Sequence, residues 1–385
     1  MGVIGLKTFL IENEKEMIVL LEKLVSIDSG STDKEGVDKI SNILQKEYEK
    51  LGFLVETNYQ EVQGNHLVIR HKNAKNPEIM SVAHMDTVFA KGTVLNRPFT
   101  IRETRAYGPG VIDMKASHVV LLYALKSLQE TDRVGHENIV IILTSDEEIG
   151  SPTSKDLIEE HAVGKSYALI MEPARQDGSL VTARRGAGEV MLQVIGKAAH
   201  SGIEPQAGSS AIEELAQKII KLHKLTDFEK GISVNVGVIK GGNTVNTIAP
   251  SAVAYVDLRI SKMEQAEWLE DKIREICAVP DVKGTTIQIT GGIDRPPMVK
   301  NEQTIELLNV IKSVGKELGI EIKDMETGGG SDASFTSAKG VATIDGLGPI
   351  GGNAHTEEEY LEVDSLVERT NLLAHVIHRL TVGKE

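Results

Sequence analysis

Short apolar, β-branched runs alternate with amphipathic segments along most of this chain, and that alternation restricts the fold more than any other feature. NHLVIRH (65–71), EIMSVA (78–83), NIVIIL (138–143) and YALIM (167–171) read as buried strands. Residues 9–26, 34–51, 114–130 and 154–162 read as helices, the second with Val37, Ile40, Leu44, Tyr48 and Leu51 on one face and Gly52 as its stop. Strands separated by helices predict an α/β fold around a mixed, mostly parallel sheet.

After residue 183 the order changes. GEVMLQVIG (188–196), a helix over 209–225, ISVNVGVI (232–239), AVAYVDLRI (252–260), a helix over 263–279 and TTIQIT (285–290) follow as β-α-β-β-α-β. That order is the ferredoxin-like α+β unit. The first pattern resumes with a helix over 301–318, a strand over 341–345 and a helix over 364–380. The expected organisation is a larger domain in two parts, 1–183 and 295–385, with a smaller domain inserted at 184–294.

Composition bounds what such a chain does. Lysine and arginine number 42 against 56 acidic residues, a formal charge of −14 that opposes nucleic-acid binding. No apolar run reaches the ~20 residues of a membrane span. The start, MGVIGL, lacks the basic stretch of an export signal and the hydroxyl residue of a myristoylation site. One cysteine, Cys277, allows no internal disulfide, and a cytoplasmic location is expected.

The unusual polar residues fall at strand ends. EIMSVA leads to His84 and Asp86, NIVIIL to Asp146, Glu147 and Glu148, and YALIM to Glu172. Asp113 opens the helix 114–130, and His355 follows the strand 341–345 in a glycine-rich loop. Open α/β sheets bind ligands beyond the carboxyl ends of their strands. Singly, each residue has an ordinary reading: Asp113 as a helix N-cap, Glu172-Pro173 as a turn, His355 as a surface histidine. Together they leave several carboxylates converging, and two at about 5 Å repel by roughly 3 kcal/mol at an effective dielectric near 20. Histidine with carboxylate suits zinc or its neighbours better than calcium or magnesium. Three ligand carboxylates and one free base carry four negative charges, which two divalent ions answer and one does not, so a two-metal hydrolytic site is expected.

The stretches AHMDTV, AYGPGVIDMK, TSDEEIGS, MEP, GKAAHSG, GGNTVNTIAP, VDLR, ETGGGSDASF and GNAHTEEEY run in order over nearly the whole chain. In them the sequence resembles the co-catalytic zinc peptidases that include glutamate carboxypeptidase, aminoacylase, acetylornithine deacetylase, succinyl-diaminopimelate desuccinylase and peptidase T. AYGPGVIDMK and TGGGSDA look closest to the glutamate carboxypeptidase branch.

The resemblance implies two zinc ions, with cobalt or manganese as substitutes. It implies that Asp113 bridges them, His84 and Glu172 completing one set and Glu148 and His355 the other. Glu147 becomes the general base and acid, and Asp86 the residue that holds His84. A cis peptide is implied at Asp113–Met114. The inserted domain becomes a lid and homodimerisation module. His200 becomes an oxyanion donor, Asn246 and Arg259 holders of a substrate carboxylate, and Gly329 and Gly330 a pocket lining. GGGSD reads equally as a flexible turn with an aspartate cap, His118 as a supporting or core residue, Asp146 as structural, and EEEY (357–360) as a solvated face.

The expected activity is cleavage of an amide beside a free carboxylate in a small peptide, as a glutamate-carboxypeptidase-like exopeptidase. An N-acyl-amino-acid deacylase or dipeptidase would use the same residues. A non-catalytic, metal-stabilised peptide-binding protein is the alternative of another class, and it would have no use for Glu147.

Overall fold

A computed structural model describes residues 5–383; residues 1–4, part of the stretch read for export and acylation signals, lie outside the described residues. The chain forms two compact units. The first takes residues up to Thr182, Lys300–Glu326 and the chain from Ser331 onward; the second takes Ala183–Val299 and Thr327–Gly330.

The first unit is built on a six-stranded mixed sheet in the order Phe53–Asn58, His66–His71, Ile139–Thr144, Ile79–His84, Tyr167–Ile170, Ala342–Ile344. The first two pairings are antiparallel, and the three joining 139–144, 79–84, 167–170 and 342–344 are parallel. Both central strands are buried at every residue, which is why they are apolar without alternation. The helix Ala116–Glu130 is buried on nearly all sides, and Asp364–Val382 packs beside it. The expected helix 9–26 is two helices, Leu6–Glu12 and Glu14–Val25. At the break, Asn13 Nδ2 donates to the Phe9 carbonyl at 2.8 Å, a local bond that competes with the helical ladder.

A small antiparallel sheet has no counterpart in the sequence reading. It runs Gly351–Gly352, Tyr360–Glu362, Arg105–Tyr107, Thr100–Arg102, with Tyr360 opposite Tyr107. Its strands have two or three residues each, too few to show a period, so only their pairing defines them.

The second unit is a four-stranded antiparallel sheet in the order Ser233–Gly241, Ser251–Ile260, Gly186–Ile195, Thr286–Arg295, with helices Ala211–His223 and Glu264–Ala278. The central strand Ser251–Ile260 alternates strictly, burying Ala252, Ala254, Val256, Leu258 and Ile260 against the helices. This is the ferredoxin-like arrangement, with the first and third strands at the centre.

Candidate metal centre

The parallel strands Ile139–Thr144, Ile79–His84 and Tyr167–Ile170 are adjacent, with His84 opposite Thr144 and Val82 opposite Ile170. Their carboxyl ends therefore open side by side, about 4.8 Å apart. His84 ends one of them, and Glu147, Glu148 and Glu172 follow the other two. Asp113 comes from the turn Val111–Lys115, before the helix Ala116–Glu130. Gly110 leads into that turn at φ +71, where an added Cβ would meet Thr87 Cγ2 at 2.5 Å, so glycine is required. The Asp113–Met114 peptide is cis. His355 lies between two strands of the small sheet, and it is the pairing of Tyr360 with Tyr107 that carries its loop to the Asp113 turn.

Two groups of ligand atoms result, His84 with Asp113 and Glu172, and Asp113 with Glu148 and His355, each within 4.8 Å. Asp113 belongs to both. Its Oδ1 lies 3.1 Å from His84 Nε2 and its Oδ2 3.2 Å from His355 Nε2. Glu172 Oε1 is 3.7 Å from His84 Nε2, and Glu148 Oε2 is 3.2 Å from His355 Nε2. Glu147 belongs to neither group.

The electrostatics show what these groups lack. Burial pushes Glu172 well above the usual carboxylate range, and the charges of Asp113 and Glu147 add to that. Burial opposes a charge on His84, but hydrogen bonds to Asp113 and Asp86 and the charge of Glu172 outweigh it, so its pKa is held well above normal. Hydrogen bonds to Asp113 and Glu148 raise His355 to about 10. Two divalent cations would offset the same carboxylate charge without those protons. Glu148 Oε1 is buried with no hydrogen-bond partner, a lone pair that calls for a cation. Two imidazoles and three carboxylates in two sets sharing one member fit a pair of zinc-like ions.

Supporting contacts fix these side chains. His84 Nδ1 lies 2.9 Å from the main-chain oxygen of Asp86, so Nε2 is the atom left to face a cation. The Asp86 carboxylate is farther from Nδ1, at 3.4 Å. It also accepts from Ser31 Oγ at 2.6 Å and from the amides of Glu147 and Glu148 at 3.2 Å each, so it holds both glutamates by their backbone. His118 Nε2 bonds the His84 carbonyl at 2.7 Å. Asp146 accepts from Thr153 N, Thr153 Oγ1, Ser154 N and Ser154 Oγ, which folds the chain sharply after Glu148. Asp332 of GGGSD accepts from Ser151 Oγ at 2.5 Å and Thr144 Oγ1 at 3.3 Å, bracing the same turn.

One residue of this framework escaped the sequence reading. Glu357 and Glu358 are exposed, as a solvated EEEY run requires, but Glu359 is fully buried. Its carboxylate accepts from the amides of Gly110, Ile112 and Asp113 at 3.0, 2.9 and 3.1 Å, joining the His355 loop to the turn that carries Asp113. Burial pushes it up to about 7 against those three donors. Its only sequence signal was position: four residues beyond a candidate ligand and next to an aromatic. Glu359→Ala should lower metal affinity by roughly 10- to 100-fold and reduce the melting temperature, with Glu359→Gln recovering part of both. Metal titration and thermal melts check this.

The other candidates lie in the second unit. The bridge between His200 and Thr247, and the bond from Ser201 N to Asn246 O at 3.0 Å, bring the His200 and Asn246 segments together. Both residues are exposed. Arg259 is not a free fork: Asp257 takes its Nε at 3.1 Å and Nη2 at 2.8 Å. The carbonyls of Gly329 and Gly330 accept from Arg184 Nη1 at 3.0 and 3.2 Å.

Carboxylates and imidazoles gathered at the strand ends of an open α/β sheet make a candidate two-ion metal centre. The family model for peptidase family M20/M25/M40 matches residues 80–379. Carboxypeptidase G2 of Pseudomonas sp. (strain RS-16) is 30% identical over 381 residues, 97% of this chain and 91% of that protein. The succinyl-diaminopimelate desuccinylase of Rickettsia bellii (strain RML369-C) is 28% identical over 371 residues, 90% of this chain and 92% of that one. Among solved structures, the aminopeptidase PepT of Bacillus cereus ATCC 10987 superimposes with a TM-score of 0.80 at 22% identity, covering 99% of this chain and all of that one, and so shares the fold. The chain belongs to peptidase family M20/M25/M40 and is a metallopeptidase of that family.

Proposed function

We propose that the protein is a two-zinc exopeptidase of the carboxypeptidase type, releasing a C-terminal residue from a small peptide. The observation that carries the two-metal part is Asp113, whose two carboxylate oxygens face different histidines at 3.1 and 3.2 Å. The carboxypeptidase part is supported by the likeness to carboxypeptidase G2 over 97% of the chain. Two zinc ions, or cobalt or manganese in their place, would polarise the scissile carbonyl and bring a water's pKa toward 7.

The remaining steps belong to side chains. Glu147, beside both ligand groups and in neither, takes the water's proton and passes it to the leaving nitrogen. His200 donates to the carbonyl oxygen as charge grows there, Asn246 and Arg259 hold the substrate carboxylate, and Gly329 and Gly330 line its pocket. Asp257 takes the Nε and Nη2 side of the guanidinium in the structure, so a substrate carboxylate would use the Nη1 and Nη2 side. Arg259→Ala should therefore raise KM for substrates with a free carboxylate several-fold and leave metal content unchanged. Equal losses on free-acid and amidated substrates would make the Arg259–Asp257 pair purely structural.

The desuccinylase likeness supports a second reading, removal of an acyl group from an amino acid by the same residues. A screen of C-terminal dipeptides against N-acyl amino acids, in zinc, cobalt and manganese, separates the two. In either case we propose a homodimer joined through the second unit, whose strand Ser233–Gly241 forms an open sheet edge; sedimentation tests it. Among the described residues no helix is long and apolar enough to cross a membrane. The buried Cys277 suits a reducing cytoplasm.

A further inference from the structure

A second cluster of imidazole and carboxylate lies in the first unit at the other end of the central sheet. His71 ends the strand His66–His71, and Arg70 pairs with Val140, so His71 reaches the entry of the strand Ile139–Thr144. His136 and Glu137 immediately precede that strand. Its six residues separate this cluster from the Glu147–Glu148 end by roughly 20 Å.

We infer that His71, His136 and Glu137 form an additional single-ion site for zinc or a similar transition metal. The three ligand atoms lie within 4.8 Å of one another. Glu137 Oε1 is 3.4 Å from His71 Nδ1 and 3.9 Å from His136 Nε2. Tetrahedral zinc with bonds of about 2.0–2.1 Å holds its ligand atoms roughly 3.3–3.5 Å apart, so the His71–Glu137 edge already fits, the His136–Glu137 edge closes with a shift of a few tenths of an ångström, and the third edge, between the two histidines, lies within 4.8 Å.

The chemistry of the contacts points the same way. Nδ1 of His71 accepts the Asn73 amide at a long 3.3 Å, so it carries a lone pair and not a proton, and an ion would take that lone pair in place of the weak bond. A lone pair facing a carboxylate oxygen at 3.4 Å is an arrangement that a cation relieves. His71 is held in place by edge contacts with the rings of Phe53 and His136, and only 5% of its side chain is exposed. Asn73 Nδ2 donates to Glu137 Oε1 at 2.9 Å and orients it, as a partner beyond the ion's ligands should. Two imidazoles and one carboxylate are the zinc-type set, with one position left over. A surface cleft of about 740 Å³ lined by His136, Glu137, Asn73 and Arg133 adjoins these ligands and can supply water. A bound ion would clip the end of one sheet strand to the loop leading into its neighbour.

The test counts metal. The intact protein is dialysed against micromolar zinc and its zinc per chain measured, alongside His136→Ala and Glu137→Gln. The native chain should hold one equivalent more than either variant and show a larger zinc-dependent rise in melting temperature than both, while all three keep the same peptidase turnover. Glu137 is exposed, so Glu137→Gln reads the site even if His136→Ala folds poorly. Equal zinc in all three proteins, or an equal thermal response, would overturn the inference. Failure of the Asp113 centre would lower the count in all three alike, leaving this difference intact.

Discussion

Glu147→Gln should leave the metal content of the protein unchanged and reduce turnover by about 10²–10⁴ or more. The geometry separates it from its neighbour. Glu148 contributes Oε2 to the group with Asp113 and His355, whereas Glu147 lies in neither ligand set. Asp86 grips the backbone amides of both glutamates, so the neutral variant has no reason to displace the loop. Glu148→Gln should instead lose bound metal, because a carboxamide oxygen is a weaker ligand than the buried carboxylate with its unpartnered Oε1. Metal analysis beside steady-state kinetics decides. The opposite pattern, metal lost from the first variant and kept by the second, would exchange the two roles.

The second large effect concerns Asp113. It is the one side chain common to both ligand groups, so Asp113→Ala should empty both at once and bring turnover to background. A strong chelator should do the same to the native protein and also lower its melting temperature. An ion present at 1,000 times its Kd contributes about 4 kcal/mol, which at ~2–4 °C per kcal/mol is roughly 10 °C. The chelated protein acquires a distinct pH dependence. With His355 raised from 6.5 to about 10 by Asp113 and Glu148, its protonation stabilises the metal-free fold fully below pH 6.5. That contribution declines as pH rises through about 10. Retained activity in protein shown to be metal-free would end the two-metal reading.

The ends of buried strands were legible because titratable residues follow several apolar runs, as at His84, Glu148 and Glu172; singly each has an ordinary explanation, together they do not. Contacts between distant segments were not. The small sheet that carries His355 to Asp113 consists of two- and three-residue strands without a period. Glu359 differs from Glu358 only in which side of a turn it faces, and its three amide partners lie 246 to 249 residues earlier. Asp146 was recognisable as structural, but the hydroxyls and amides it gathers from Thr153 and Ser154 depend on how the loop closes. Arg259 is a different case. Asp257 is two residues away on the same strand, and a period of two puts them on one face, so the pair is legible in the sequence.

The placement of His355 beyond the second unit has a consequence for the making of the protein. His84, Asp113, Glu148 and Glu172 all leave the ribosome before Ala183. His355, the glutamate that braces it and the strand Ala342–Ile344 at the sheet edge come only after the intervening unit has been synthesised. At ~5–20 residues per second, a nascent chain spends tens of seconds with one ligand set complete and the other missing its histidine. During that interval four acidic or imidazole ligands are present without their final partner. If His84, Asp113 and Glu172 hold one ion and Asp113, Glu148 and His355 the other, the first ligand set can be complete before the last segment docks, whereas the second cannot.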